Sequence, residues 1–467
     1  MTTLHDTVPT LWIGFQASGM LADRFVEDAD GRVACTDFLG GSSLYGRGDE
    51  LQGRSVLLAT KGQLTTASAL IELDGVARRI VLCPPDLPLE HLPHIIDTAE
   101  VDGIVSDRAM THLGKPRPLY FSPCSRNLAP GNYNGKAHHE TEWILLTSGT
   151  TGLPKLVVHT LASLTAAIRP GSNQDTKVVW STFYDIRRYG GLQILLRAAL
   201  SGASLVLSSA EEPTADFLAR AAASGVTHIS GTPSQWRRAL MSPLAHLLNP
   251  QYVRLSGEAV DQGILNSLKS LYPQARIVHA FASTEAGVAF EVVDCLSGFP
   301  SDVLHKNPRV EMKIQDRTLR IRSAGNARCY LGDKVRPIKD DDGFVDTGDL
   351  VELRDGRYYF AGRLDGVINV GGLKVHPEEV EAVIGRHPEV QACLVRAKKS
   401  PITGALVVAD VVLRGDAFSE DRQVSAIKDD ILQLCREVLP AHKVPAAVNI
   451  VPMLAIAASG KMVRKDA

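Results

Sequence analysis

The sequence predicts an α/β protein: a large N-terminal domain of mixed, mostly parallel sheets with a β-rich subdomain, then a small α+β C-terminal domain. Three observations predict it. Short β-rich runs alternate with helical patterns over residues 55–106 and again from about 177 to 283. From about 310 the strands follow one another more closely. At 467 residues the chain is too long for one compact core.

In the first series "SVLLAT" is followed by "QLTTASALIELDGV", "RIVLC", "LEHLPHIIDTAEV" and "GIVS". The second runs "KVVWST", "GLQILLRAALSG", "SLVLS", "ADFLARAAASG", "THISGT", "YVRLSG", "ILNSLKSLY" and "RIVHAFAS". Strands separated by helices imply crossover units and parallel pairing, with ligands at the carboxyl ends of the strands. After 310, "VEMKIQ", "TLRIRS" and "VELRDGRYYFAGR" read as strands, the last folded at Asp355-Gly356. A helix is expected from Pro377, with Val380, Val383 and Ile384 on one face. "QACLVRAKK", "GALVVADVVLR", a helix near 422–439 and "AVNIVP" complete the α+β unit. The boundary falls near 362–366 and divides the chain into 1–364 and 365–467.

Hydrophobic content of 45%, charged content of 22% and a net charge of −2 give no general affinity for nucleic acid or anionic membrane. No apolar run reaches the length of a membrane span, and the first residues lack a basic stretch followed by an apolar one. The seven cysteines are dispersed, without C-x-x-C spacing, which suits reduced thiols and a cytoplasmic setting.

The most informative stretch is "LLTSGTTGLPK", residues 145–155, a glycine- and hydroxyl-rich loop ending on a cation. It is not a Walker loop, because Lys155 is separated from Gly152 by Leu153 and Pro154 and is followed by Leu156. Its chemistry still suits phosphate: glycines let N–H groups approach oxyanions, the hydroxyls of Thr147, Ser148, Thr150 and Thr151 donate, and Lys155 adds a point charge. A plain polar loop between strands would read the same way in isolation.

The full string resembles the signature loop of the adenylate-forming superfamily, which includes acyl-CoA synthetases, peptide-synthetase adenylation domains and luciferases. Four further stretches resemble that family's motifs, in order: "HAFASTEAG" (279–287), "DTGDL" (346–350), "GRLDGVINVGGLKVHPEEVE" (362–381) and "ASGKMVRK" (458–465). The resemblance implies that Thr147, Ser148, Gly149, Thr150, Thr151, Gly152 and Lys155 hold phosphates, and that Gly257, Glu258 and Ala259 of "SGEAV" border the nucleotide. It implies that Phe281 stacks on adenine, Thr284 meets the α-phosphate, Glu285 holds Mg²⁺, Asp349 binds ribose and Arg363 contacts the nucleotide. Lys461 would be the catalytic lysine. Asp365 would be the hinge of a mobile C-terminal domain, and Gly371 and Gly372 would line the thiol tunnel. Ala282 stands where the family usually has glycine, and Asn369 where many members have lysine.

The implied reaction joins a small carboxylic acid to a thiol: ATP converts the acid to an acyl-adenylate, and the thiol of CoA, or of a carrier protein's phosphopantetheine, then attacks. A stand-alone adenylation enzyme serving an external carrier protein is the alternative, and a catalytically silent nucleotide-binding protein the alternative of another class. The acyl pocket is expected between residues 181–193, 228–236 and 255–260. There Asp185, Arg187 and Arg188 are read as pairing among themselves or facing solvent, because charges seldom stay buried alone.

Overall fold

The structure is a computed structural model that describes residues 10–19, 23–110, 119–131, 137–147, 153–168, 177–209, 211–332, 337–370, 373–400, 404–414 and 421–454. The chain divides into two compact units. The first holds residues through 296 with 305–311 and 321–345; the second holds 297–304, 312–320 and 346 onward.

Two sheets organise the first unit. One has eight strands, in the order Gly287–Val292, Arg276–Ser283, Tyr252–Ser256, His228–Gly231, Val179–Thr182, Ser204–Leu207, Phe25–Asp28 and Gly31–Ala34. Its interior pairs are parallel and its two edge pairs antiparallel. The other has seven, in the order Cys329–Tyr330, Lys155–His159, Glu142–Thr147, Arg79–Leu82, Ser55–Leu58, Gly103–Ser106 and Tyr120–Pro123. It is parallel from Glu142–Thr147 to Tyr120–Pro123 and antiparallel at the other edge. The alternating patterns at 55–106 and 177–283 thus form the parallel sheets expected of them. The segment 89–101 departs slightly, splitting into a short 3₁₀ turn, Leu89–His91, and the α-helix Leu92–Thr98.

Helices Leu11–Ala17, Gln63–Leu73 and Tyr189–Ser201 share a single apolar cluster with residues from both sheets, including Leu58, Ile80 and Trp143 of one and Trp180, Leu205 and Leu207 of the other. Every residue of Gln63–Leu73 is buried. A helix enclosed on all sides needs internal partners for its polar members: Glu72 accepts from the Ser42 hydroxyl and the Ser43 N–H, and Gln63 Nε2 donates to the Ser208 carbonyl. The opposite face of the eight-stranded sheet packs Val179, Ile229, Val253, Leu255 and Ile277 against helices Thr214–Ala223, Pro233–Leu240 and Gln262–Leu271.

The second unit contains the strands Val345–Arg354 and Arg357–Arg363, turning at Asp355 (φ 48°) and Gly356 (φ 77°) as the Asp-Gly pair predicts. Helix Pro377–Ile384 buries Val380, Val383 and Ile384. These join the hairpin Val390–Ser400/Gly404–Leu413, the parallel strand Ala447–Ile450 and helix Asp421–Val438 in one core.

Asp74 secures the central layer of the first unit. Its carboxylate accepts from the Leu11 N–H at 2.7 Å and from Trp143 Nε1 at 2.9 Å. Burial pushes its carboxyl up from 3.8 to about 6, against those two hydrogen bonds. The folded state therefore holds the proton more tightly than the unfolded chain, and this residue's contribution falls as pH rises from about 4 to about 6. Asp74→Ala leaves two buried donors unpaired, so urea denaturation should show a loss of roughly 2–5 kcal/mol. Asp74→Asn should remove this residue's share of the pH slope. Unchanged stability in Asp74→Ala would mean that water satisfies both donors.

Candidate active site

The signature stretch closes an antiparallel hairpin. Thr147 ends the strand Glu142–Thr147, and Lys155 begins Lys155–His159 directly opposite it. Thr147 and Lys155 therefore flank the loop at one level. Ser148, Gly149, Thr150, Thr151 and Gly152 lie outside the described residues, as do Gly371, Gly372 and Lys461.

Thr284 and Glu285 occupy the turn between Arg276–Ser283 and Gly287–Val292, on the other sheet. The turn meets the hairpin. Thr147 Oγ1 donates to Glu285 Oε1 at 3.4 Å, and Tyr330 Oη donates to the same oxygen at 3.2 Å. The Lys155 ammonium lies 5.5 Å from the centroid of the Tyr330 ring. Residues 138 positions apart in sequence thus place a carboxylate, two hydroxyls and a cation together.

His159 fixes this turn. It is fully buried, with Nε2 at 2.7 Å from the Thr284 carbonyl and Nδ1 at 2.9 Å from Ser163 Oγ. A carbonyl can only accept, so Nε2 carries the proton and Nδ1 accepts from the serine. Burial pushes the imidazole down to about 4, with the Thr284 hydrogen bond opposing, and the ring is neutral at pH 7. Gly287 completes the turn at φ 75°; a Cβ there would stand 2.6 Å from the Gly325 carbonyl oxygen. The Ala327 N–H donates to the Glu285 carbonyl at 2.9 Å.

Phe281 stacks on Phe290 with centroids 5.8 Å apart and planes at 17°, beside a register shift between Phe281 and Ala282. Ala282 is not among the described residues with positive φ, so its backbone accepts alanine without strain. Gly257 has φ 87°, and Glu258 Oε2 accepts from the Ser234 N–H at 2.9 Å, at the start of helix Pro233–Leu240. That position suits a carboxylate, since the first turn of a helix carries partial positive charge. Ala259 is exposed.

Within the second unit, Asp349 and Arg363 face each other across the hairpin, with Arg363 Nη1 3.8 Å from Asp349 Oδ1. The motifs "DTGDL" and "GRLDG" thus become neighbours through strand register. Gly348 (φ 70°) turns the chain there, and the Asp349 N–H donates to Thr347 Oγ1 at 3.1 Å. Asp365 lies in the single turn Leu364–Gly366 that follows.

The charges expected near the acyl pocket are accounted for. Arg187 is 2% exposed, donates from Nε to Asp185 Oδ1 at 2.7 Å and reaches the carbonyls of Thr60 and Lys61. Arg188 Nη2 donates to both oxygens of Asp86 at 2.7 Å. His159, Tyr330 and Gly287 are site residues that sequence reasoning passed over. Gly287 stood within a quoted motif, whereas Tyr330 carries no local signal and reaches the site only because Cys329–Tyr330 pairs with Lys155–His159.

The donor set suits Mg²⁺ shared with phosphate. Glu285 offers a hard carboxylate among hydroxyls, and Mg²⁺ is commonly held by one or two carboxylates together with substrate phosphates. Among the described residues there is no cluster of three or more His, Cys, Asp or Glu that would form an all-protein cage. Nor is any helix among them long and apolar enough to cross a membrane.

Comparison with known proteins adds to this geometry. The family described as AMP-binding enzyme matches residues 76–331, and the AMP-binding enzyme C-terminal domain matches residues 379–461. A 2-succinylbenzoate–CoA ligase from Salmonella typhimurium is 34% identical over 262 residues, covering 54% of this chain and 53% of that protein. A dimodular nonribosomal peptide synthase from Bacillus subtilis is 24% identical over 469 residues, covering 88% of this chain and 19% of that protein. The chain thus spans about half or less of the length of these relatives. A benzoate CoA ligase structure from Burkholderia xenovorans superposes with a TM-score of 0.79 at 19% identity, over 98% of this chain and 99% of that one, and so shares the fold.

The neutral histidine makes an acid-side prediction. Its folded pKa lies below the ordinary 6.5, so the unfolded chain takes up the proton first and stability falls as pH drops from about 6.5 to about 4. His159→Phe should lose this part of the slope and cost roughly 1–3 kcal/mol at pH 7 through the unpaired Thr284 carbonyl. Urea denaturation at pH 7 and pH 5 measures both, and parallel losses in wild type and variant would exclude His159 as the titrating group.

Proposed function

Because the chain belongs to the AMP-binding enzyme family, matched over residues 76–331, we propose that it is an ATP-dependent, AMP-forming acid–thiol ligase. It activates a small carboxylic acid as an acyl-adenylate and transfers the acyl group to CoA. The observation that carries this reading is the meeting of Thr147, Glu285, Tyr330 and Lys155 where the two sheets of the first unit come together.

The chemistry explains the residue types. A carboxylate oxygen attacks the α-phosphorus of ATP and pyrophosphate leaves; a thiolate then attacks the acyl carbon and AMP leaves. The first step brings an anion to an anionic phosphate, so fixed donors and cations aimed at that charge dominate catalysis. Lys155, Thr147 and the loop residues Ser148–Gly152 hold the β- and γ-phosphates. Thr284 donates to the α-phosphate, while Gly257, Glu258, Ala259 and Phe281 border the base. Asp349 accepts from the ribose hydroxyls and Arg363 contacts the nucleotide. Glu285 holds Mg²⁺, which when bound neutralises phosphate charge. Lys461 bridges the acid and the α-phosphate. The domain boundary lies at 364/365, where Asp365 acts as the hinge between half-reactions, and Gly371 and Gly372 line the thiol path.

A second reading, favoured by the likeness to a nonribosomal peptide synthase over 88% of the chain, makes the acceptor a carrier protein's phosphopantetheine. ATP–pyrophosphate exchange across a panel of acids tests the shared first step, and thioester formation with CoA or a phosphopantetheinyl carrier separates the acceptors. The complete absence of exchange would overturn both readings.

Two variants probe the assignments. Lys461→Ala should lower exchange by roughly 10²–10³ while ATP binding weakens far less, as for loss of one transition-state charge partner; exchange at the wild-type rate would remove Lys461 from that role. Asp365→Pro fixes φ near about −65° and should retain pyrophosphate release while abolishing thioester formation. Rapid conversion of a pre-made acyl-adenylate to thioester by this variant would refute the hinge.

A further inference from the structure

A carboxylate and an ammonium that share a half-buried site are drawn into a pair, because their attraction strengthens as the local dielectric falls. Lys155 and Glu285 are both half-buried in one site. Among the described residues they do not pair with each other. Tyr330 touches both. Its hydroxyl donates to Glu285 Oε1 at 3.2 Å, and the Lys155 ammonium lies 5.5 Å from its ring centroid.

Strand register explains why this residue reaches the two charges. Tyr330 pairs with Val157, and Lys155 lies two residues earlier on the same strand, so it leaves from the same face. Diagonal neighbours across an antiparallel pair are within reach of aromatic and long side chains. Lys155 pairs in turn with Thr147, whose hydroxyl is the second donor to Glu285 Oε1, at 3.4 Å. Three neighbouring strands thus carry Tyr330, Lys155 and Thr147 on one face, and the turn bearing Glu285 meets them there.

The two contacts of Tyr330 differ in kind. The ring face attracts a cation through its quadrupole, and the phenol hydroxyl donates to an anion. One neutral side chain satisfies two opposite charges without letting either cancel the other. Both donors to the Glu285 side chain serve Oε1, so neither occupies Oε2. An enzyme that meets ATP with a cation and Mg²⁺ with a carboxylate gains from that separation. If Lys155 and Glu285 paired, nucleotide and metal would each have to break an ion pair before binding.

We propose that Tyr330 is a positioning residue that keeps these two charges apart. Its ring holds the Lys155 ammonium for phosphate, and its hydroxyl fixes Glu285 with Oε2 left for Mg²⁺. The proposal rests on the ligase reading and adds to it a residue that acts only through its neighbours.

ATP binding without any acid tests it, measured by calorimetry in EDTA and across a Mg²⁺ titration. Tyr330→Phe keeps the ring and loses the hydroxyl. It should need ~10-fold or more Mg²⁺ for half-maximal tightening of ATP binding, as for loss of an outer partner of a metal ligand, while affinity in EDTA changes by less than about twofold. Tyr330→Leu loses both contacts and lets Lys155 pair with Glu285, so affinity in EDTA should fall by ~3-fold or more. Glu285→Gln should then raise that affinity more in Tyr330→Leu than in otherwise wild-type protein, because only there does it release the lysine. Loss of packing alone would not produce that coupling. Melting curves check folding, and Tyr330→Phe decides alone if Tyr330→Leu does not fold. A wild-type Mg²⁺ requirement in Tyr330→Phe, or equal gains from Glu285→Gln in the two backgrounds, overturns the proposal and leaves the ligase reading standing. Wild-type protein that binds no ATP, with or without Mg²⁺, overturns the two together.

Discussion

The hydrogen bond from His159 to the Thr284 carbonyl is the constraint on which the rest of the site depends. It crosses from a strand of the seven-stranded sheet to a turn of the eight-stranded sheet, 125 residues away in sequence. Each sheet's register places its own residues, but neither places them relative to the other. A buried imidazole with one donor and one acceptor, both used, supplies that relation directionally. Its neutrality matters as well, since a charged ring in this position would bring an uncompensated cation into the core.

Once the turn is fixed, Glu285 can take donors from Thr147 and Tyr330, and its carbonyl can accept from the Ala327 N–H. Glycine at 287 permits the close approach of the segment around Gly325. The carboxylate is therefore held by side chain and backbone together, so that it is oriented before any ligand arrives. Such preorganisation is what an electrostatic catalyst requires, because donors that must reorganise during the reaction give back much of their effect.

The same sheet obeys two rules on its two faces. One face is apolar and satisfied by helices; the other becomes polar toward the carboxyl ends of its strands while remaining buried. Stability alone would have filled that second face with aliphatic side chains. In the second unit, strand register does comparable work at smaller scale: a hairpin turned at Asp355-Gly356 brings Asp349 opposite Arg363.

Element types were legible in the chain alone, because periodicity and turn chemistry are local: the parallel series, the Asp-Gly hairpin and the helix from Pro377 all formed where their patterns lie. The roles proposed for Thr147, Lys155, Thr284, Glu285, Asp349 and Arg363 come from short, contiguous motifs. What those residues meet is set by the packing of distant segments. His159 reads in sequence as one more residue of an apolar strand, and Tyr330 as an unremarkable residue in a loop. The pairing of Asp185 with Arg187 was anticipated from the cost of burying lone charges, yet the carbonyls of Thr60 and Lys61 that complete it lie far away in the chain. That Gln193 Oε1 and Ser230 Oγ are buried without a hydrogen-bond partner among the described residues is not written in the sequence, because a polar residue in a helix or strand looks solvent-facing until the opposite layer is in place. Contacts between sheets depend on how layers stack, and no local pattern encodes that stacking.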